Sequence, residues 1–179
     1  MNERSAVDAV TIRQAVKAGL NVWVSRLDYP GLVGLRDQLR GHVQLLLGEL
    51  HALTPRMRGE ARELGVHCLS RAHRIIEEAD DAGATAVRYR VQDLACTARS
   101  MLTLVQGPGP LGVPTGCEEI VEAVGRRICT ACAEQIGAGE KFKRVPEAAL
   151  PGGRRTGLIH TDSCEVLAEQ RRQELQPVP

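Results

Sequence analysis

The sequence predicts a mainly α chain: an antiparallel four-helix bundle over residues 1–106, a Gly/Pro-rich linker at 107–116, and a small metal-stapled α+β module over 117–179. Three observations predict this. Apolar residues step by three or four up to about residue 106, QGPGPLGVPTG then abolishes any period, and beyond it two Cys-containing pairs stand in a stretch poor in large apolar side chains.

The helices follow from the stepping. Ala9, Ile12, Val16, Leu20 and Trp23 mark a first stripe; Leu32, Leu35, Leu39, Val43, Leu46, Leu50 and Leu53 mark a second. Ala61, Leu64, Cys68, Ala72, Ile75 and Ala79 give a third, and Ala84, Val87, Val91, Leu94, Ala98, Met101 and Val105 a fourth. One apolar stripe per helix demands partners. The breaks are short: Asp28 to Gly31, then Thr54 and Pro55 as an N-cap with Pro at the first helical position, then Asp80 to Gly83. Short connections set neighbouring helices antiparallel. Burying a Leu contributes about 1.5 to 3 kcal/mol, so the Leu-rich second helix is the expected centre of the core.

After the linker, CEEIVEAVG from Cys117 reads as a short helix leading the module, with Glu118 and Glu119 in its first turn. The following residues are too few to build a dependable core without a staple. Cys129-x2-Cys132 suits a tight turn that aims two thiolates at one ion; after 27 intervening residues, His160-x3-Cys164 spaces two more ligands one helical turn apart. Thr161, Asp162 and Ser163 are capping residues, and CEVLAEQRRQEL continues with good helix formers, so both ligands are expected on one helix face. Between the pairs, Lys141 to Val145 and Thr156 to Ile159 can form two strands joined by a turn at Pro151-Gly152-Gly153. Four protein ligands close a tetrahedral site, which suits a structural Zn²⁺ and disfavours a catalytic one. Cys117 could replace His160, although its place on a helix favours a plain thiol; Cys68 lies on a seam, and Cys96 off it.

This order of knuckle, hairpin and helix, carried by CTACAEQIGAGEKF and LIHTDSC, resembles the treble-clef family of zinc modules over roughly residues 126–175. The resemblance implies a structural Zn²⁺ on Cys129, Cys132, His160 and Cys164, and no particular activity. The His-x3-Cys second pair departs from the commoner Cys-x2-Cys. A second resemblance runs from LRGHVQLLLGELHALTPRMRGEARELGVHCLSRAHRII to VRYRVQDLACTARSMLTLV, residues 39–105. It is similar to small helical proteins of GC-rich bacteria associated with natural-product biosynthesis, which implies an accessory role and carries over no catalytic residue.

Composition narrows the function classes. A formal net charge of +1 gives no global field for nucleic acid or membrane surfaces, and 2% aromatic residues leave few stacking platforms. The terminus MNERSAVDAVTIRQAV has charged and polar groups throughout, no apolar run approaches a membrane span, and the thiols read as reduced, so a cytoplasmic setting is expected. One local basic patch stands out: Arg126, Arg127, Lys141, Lys143, Arg144, Arg154 and Arg155 against three Glu between residues 125 and 160. It could meet phosphates, but the missing aromatic interleaving favours a solvated surface. His42, His51, His67 and His73 lie on expected helices without the Glu-x-x-His pattern of di-iron bundles, and read as partly exposed histidines. The expected function is a non-enzymatic zinc-binding accessory protein that presents a surface to another protein. The alternatives are a nucleic-acid-binding regulator using the basic hairpin and, less favoured, a bundle enzyme of secondary metabolism.

Overall fold

The structure is a computed structural model that describes residues 8–77, 83–148, 154–161 and 164–174. It is mainly helical, with a small pair of hairpins near the C-terminus, and divides into two compact units, residues 1–124 and 125–179.

In the first unit, α1 (Ala9–Leu20), α2 (Tyr29–Leu53), α3 (Gly59–Glu77) and α4 (Ala84–Gln106) share one apolar core. The widest interface joins α2 to α4, and α1 and α3 each pack against both. Direction follows from named contacts: Arg13 Nη2 donates to Gln106 Oε1 (2.7 Å) and Trp23 Nε1 to Gln92 Oε1 (2.7 Å), so α1 runs opposite to α4. Arg40 on α2 donates to the Ile76 carbonyl, whereas Gly65 of α3 lies against Thr54 just past the far end of α2, so those two helices are also antiparallel. The stripe of α2 is buried at Leu32, Leu35, Leu39, Val43, Leu46 and Leu50, as its spacing predicts. Cys68 packs in the same core.

Small residues let these helices approach. A Cβ built on Gly19 of α1 would come within 2.7 Å of the Ala95 Cβ on α4 and 2.9 Å of Leu39 Cδ1 on α2. A side chain there collides with two neighbours. Polar groups also tie the helices together: Arg71 of α3 donates to Asp93 (3.1 Å) and to the buried Thr97 hydroxyl (3.1 Å) on α4.

Three details of the helical reading change. Helix α1 ends at Leu20, and the turn after it buries Val22 completely while Trp23, expected on the stripe, is 43% exposed against Tyr89. Thr54 does not start α3: its hydroxyl donates to the Leu50 carbonyl at 2.6 Å, a 3-10 turn covers Thr54–Arg56, and α3 begins at Gly59. Gly65 then faces Thr54 and Met57 across that turn, which rotates Leu64 outward to 54% exposure and brings Leu69 inside. The third-to-fourth helix break at Asp80, Asp81 and Ala82, and Ala79 before it, lie outside the described residues.

The Gly/Pro-rich stretch after α4 has no regular structure, yet it is fastened. Gly112 N donates to the Arg56 carbonyl (2.8 Å), Thr115 N to the Pro55 carbonyl (3.0 Å), and the Arg56, Arg58 and Arg62 side chains donate to Gly112, Val113 and Thr115. It therefore runs along the connection between α2 and α3. Helix α5 (Cys117–Gly125), expected to lead the metal module, buries Ile120 in the helical core, and its Glu119 meets Arg62 at 3.5 Å.

The second unit holds β1 (Arg127–Ile128) paired antiparallel with β2 (Gln135–Ile136), β3 (Phe142–Ala148) paired antiparallel with β4 (Arg154–His160), and α6 (Glu165–Glu174). The expected turn at Pro151-Gly152-Gly153 lies outside the described residues. A small core of Cys129, Ala131, Ile136, Val145, Ile159 and Cys164 lies between these pieces.

Candidate metal centre

Cys129 and Cys132 sit in the tight connection between β1 and β2. The Cys129 amide donates to the Glu134 carbonyl (2.8 Å) and the Ala133 amide to the Cys129 carbonyl (2.8 Å), which closes the turn. Ala133 takes a left-handed φ of 65° to complete it. The turn is docked on β4, because Thr130 N donates to the Leu158 carbonyl at 2.8 Å and Cys129 bridges Leu158. Two residues further on, β4 delivers His160.

His160 and Cys164 do not share a helix face. The β3–β4 ladder pairs Phe142 with His160, and Thr161 N still donates to the Lys141 carbonyl at 2.9 Å, so the backbone is extended through His160. Cys164 instead stands just before α6, accepting at its carbonyl from the Ala168 amide (3.0 Å). Strand pairing has overridden the local capping preference of the sequence. Asp162 and Ser163 lie outside the described residues.

The donor atoms of Cys129, Cys132, His160 and Cys164 all lie within 4.8 Å of one another, close enough to bind a metal ion. The Cys132 and Cys164 sulfurs are each 3.6 Å from His160 Nδ1. A tetrahedral zinc with sulfur at about 2.3 Å and imidazole nitrogen at about 2.05 Å separates the two donors by about 3.6 Å, so the spacing is compatible with zinc. Cys117, the open alternative, is exposed at the start of α5 and is not among the four.

Charge within the group is distributed unevenly. Burial weighs against a Cys129 thiolate, but the Cys132, His160 and Ala131 amides stabilise it and bring its pKa down to about 6. At Cys132 the Glu134 amide favours ionisation, yet burial and the neighbouring Cys129 and Cys164 sulfurs outweigh it and push the thiol up. Contact with Cys164, opposed by burial and aided by Cys129, raises His160 to about 9. A cation would compete with protons for these donors.

Glu140 completes the arrangement and was not singled out by sequence spacing. Its Oε2 lies 3.3 Å from His160 Nε2 and accepts from the Gly137 amide at 2.7 Å. A carboxylate behind a ligating imidazole fixes the tautomer that leaves Nδ1 free for a metal. The signal was present in the Gly-Ala-Gly-Glu turn, residues 137–140.

Two of the seven basic residues have partners within the second unit. The Arg127 guanidinium lies over the Phe142 ring, 4.7 Å from its centroid, and Lys143 pairs with Glu165 on α6 at 2.5 Å. Arg126 precedes β1, Lys141 precedes β3, Arg144 lies within β3, and Arg154 and Arg155 begin β4 opposite Ala148 and Glu147.

Residues 10–110, spanning α1 to α4, match the family of unknown function DUF6415, and the chain belongs to that family. No curated protein and no solved structure matches the chain. No helix among the described residues is long and apolar enough to cross a membrane.

Proposed function

We propose that this is a cytoplasmic, non-enzymatic accessory protein in which a four-helix bundle is joined to a treble-clef-like module folded around one structural Zn²⁺. The carrying observation is the pair of 3.6 Å sulfur-to-nitrogen distances at His160, which match the edge of a tetrahedral zinc site. Four protein donors fill such a site and reserve no position for substrate or water. The metal would supply folding energy, since the core of six buried residues is small and structural zinc binds peptides with about 10 to 16 kcal/mol. The module would then present its surface to a protein partner, in keeping with the resemblance of the helical part to accessory proteins of natural-product biosynthesis.

Metal analysis of the purified chain tests this directly, with one zinc per chain expected. Cys164→Ser or a chelator should abolish the dispersed resonances of residues 126–174 and leave the helical signal of α1 to α4. A chain that retains the module's fold without metal would refute the reading. A nucleic-acid role for Arg126, Arg127, Lys141, Lys143, Arg144, Arg154 and Arg155 is the second reading; it is weakened by the engagement of Arg127 and Lys143. It requires duplex binding at low salt that is lost when Arg154 and Arg155 become Glu.

A further inference from the structure

We propose that His51 and His73 form a second, exchangeable metal site, taking a late first-row divalent cation such as Zn²⁺ or Ni²⁺ and clamping α2 to α3. The two residues are 22 positions apart, on antiparallel helices, and their Nε2 atoms face each other at 3.1 Å. Two cis nitrogen ligands at about 2.1 Å from one ion are separated by about 3.0 Å in octahedral geometry and about 3.4 Å in tetrahedral geometry. The observed distance falls inside that bite.

The ring arrangement is that of a hydrogen-bonded pair. Centroids 5.4 Å apart with Nε2 atoms at 3.1 Å place the imidazoles tip to tip, so one Nε2–H donates to the other ring's lone pair. The pair is therefore held with at least one bare nitrogen. To bind a cation, the donating ring moves its proton to Nδ1 through solvent and both rings swing to converge their lone pairs. Burial, and then the neighbouring His73, lower the His51 pKa and so favour the neutral imidazole that a metal needs.

Both side chains are half-buried, which keeps the site open to water ligands. Among the described residues no third Cys, His or carboxylate joins the pair. Two protein nitrogens bind far more weakly than three thiolates and an imidazole, so this ion comes and goes with supply while a C-terminal ion stays. Imidazole donors suit Ni²⁺, Cu²⁺ and Zn²⁺, not Mg²⁺ or Ca²⁺.

The test is calorimetric titration of the untagged full chain with Ni²⁺, after zinc loading and dialysis to remove exchangeable metal. One Ni²⁺ per chain with micromolar affinity is expected, weakened at least tenfold in His51→Gln and in His73→Gln and unchanged in His67→Gln, whose histidine is exposed on α3. In the wild-type chain, paramagnetic Ni²⁺ should broaden amides around residues 51 and 73 first. At a hundred times its Kd the ion should raise the folding equilibrium constant of the helical unit about a hundredfold. The proposal is overturned if the wild type takes up no Ni²⁺, if both Gln variants bind as the wild type does, or if broadening centres elsewhere.

Discussion

Glu140 and His160 meet on the edge of the imidazole that faces away from the sulfurs: Oε2 of one stands 3.3 Å from Nε2 of the other, while Nδ1 looks toward Cys132 and Cys164. The carboxylate is itself anchored by the Gly137 amide. Removing the charge should therefore loosen the metal without deleting a ligand. Glu140→Gln is expected to lower zinc affinity about 10- to 100-fold, read by competition with a chromophoric chelator, while the zinc retained after loading and dialysis stays at one per chain. Unchanged affinity would mean that the carboxylate does not orient the ring.

Gly19 lies where α1 comes close against α4 and α2. Alanine is the better helix former by about 1 kcal/mol, but its Cβ would lie 2.7 Å from Ala95 and 2.9 Å from Leu39 Cδ1. Overpacking of this kind costs about 1 to 3 kcal/mol, so Gly19→Ala should lower the urea midpoint of the helical unit. A rise in midpoint would show that the interface yields more readily than the contacts imply.

His42 on α2 carries a buried Nε2 with no hydrogen-bond partner among the described residues. Burial lowers its pKa below 6.5, with Asp8 partly opposing, and burial followed by His73 lowers that of His51. As pH falls below 6.5 the unfolded chain binds protons that the folded chain refuses, so stability that is fully present above 6.5 declines toward the folded pKa values. Chemical unfolding between pH 7.5 and 5 should register that loss, and His42→Leu should reduce it. An acid dependence identical in the variant would remove His42 from the account.

Thr54 is the buried hydroxyl that ends α2. Thr54→Val keeps the shape and forfeits the bond to the Leu50 carbonyl, 2.6 Å away. A loss of about 1 to 2 kcal/mol in the stability of the helical unit is expected by thermal or urea unfolding.

Much of the helical unit was legible because a helix advertises its buried face locally: Leu32 through Leu50 in α2 and Val87 through Met101 in α4 are buried at the spacing that the sequence shows. What escaped was set by contacts between segments. Val22 replaced Trp23 because the chain leaves the helix at Leu20, and Leu64 turned outward because Gly65 packs on a turn that sequence spacing read as a helix start. The four cysteine and histidine donors were readable from spacing, whereas the placing of His160 on a strand depended on a partner, Phe142, eighteen residues earlier. The meeting of His51 with His73 had no local signature, since neither helix carries a motif by itself.

The fastening of residues 112–115 to Pro55 and Arg56 redraws where this protein can be cut. A stretch with this much Gly and Pro invites use as a hinge for dissection, yet a fragment ending at Gln106 would strand the three arginines that hold it and discard Ile120 from the core. The family match stops at residue 110, whereas the compact unit runs to Val124. A fragment of the helical unit should therefore keep α5 rather than stop at the Gly/Pro-rich stretch.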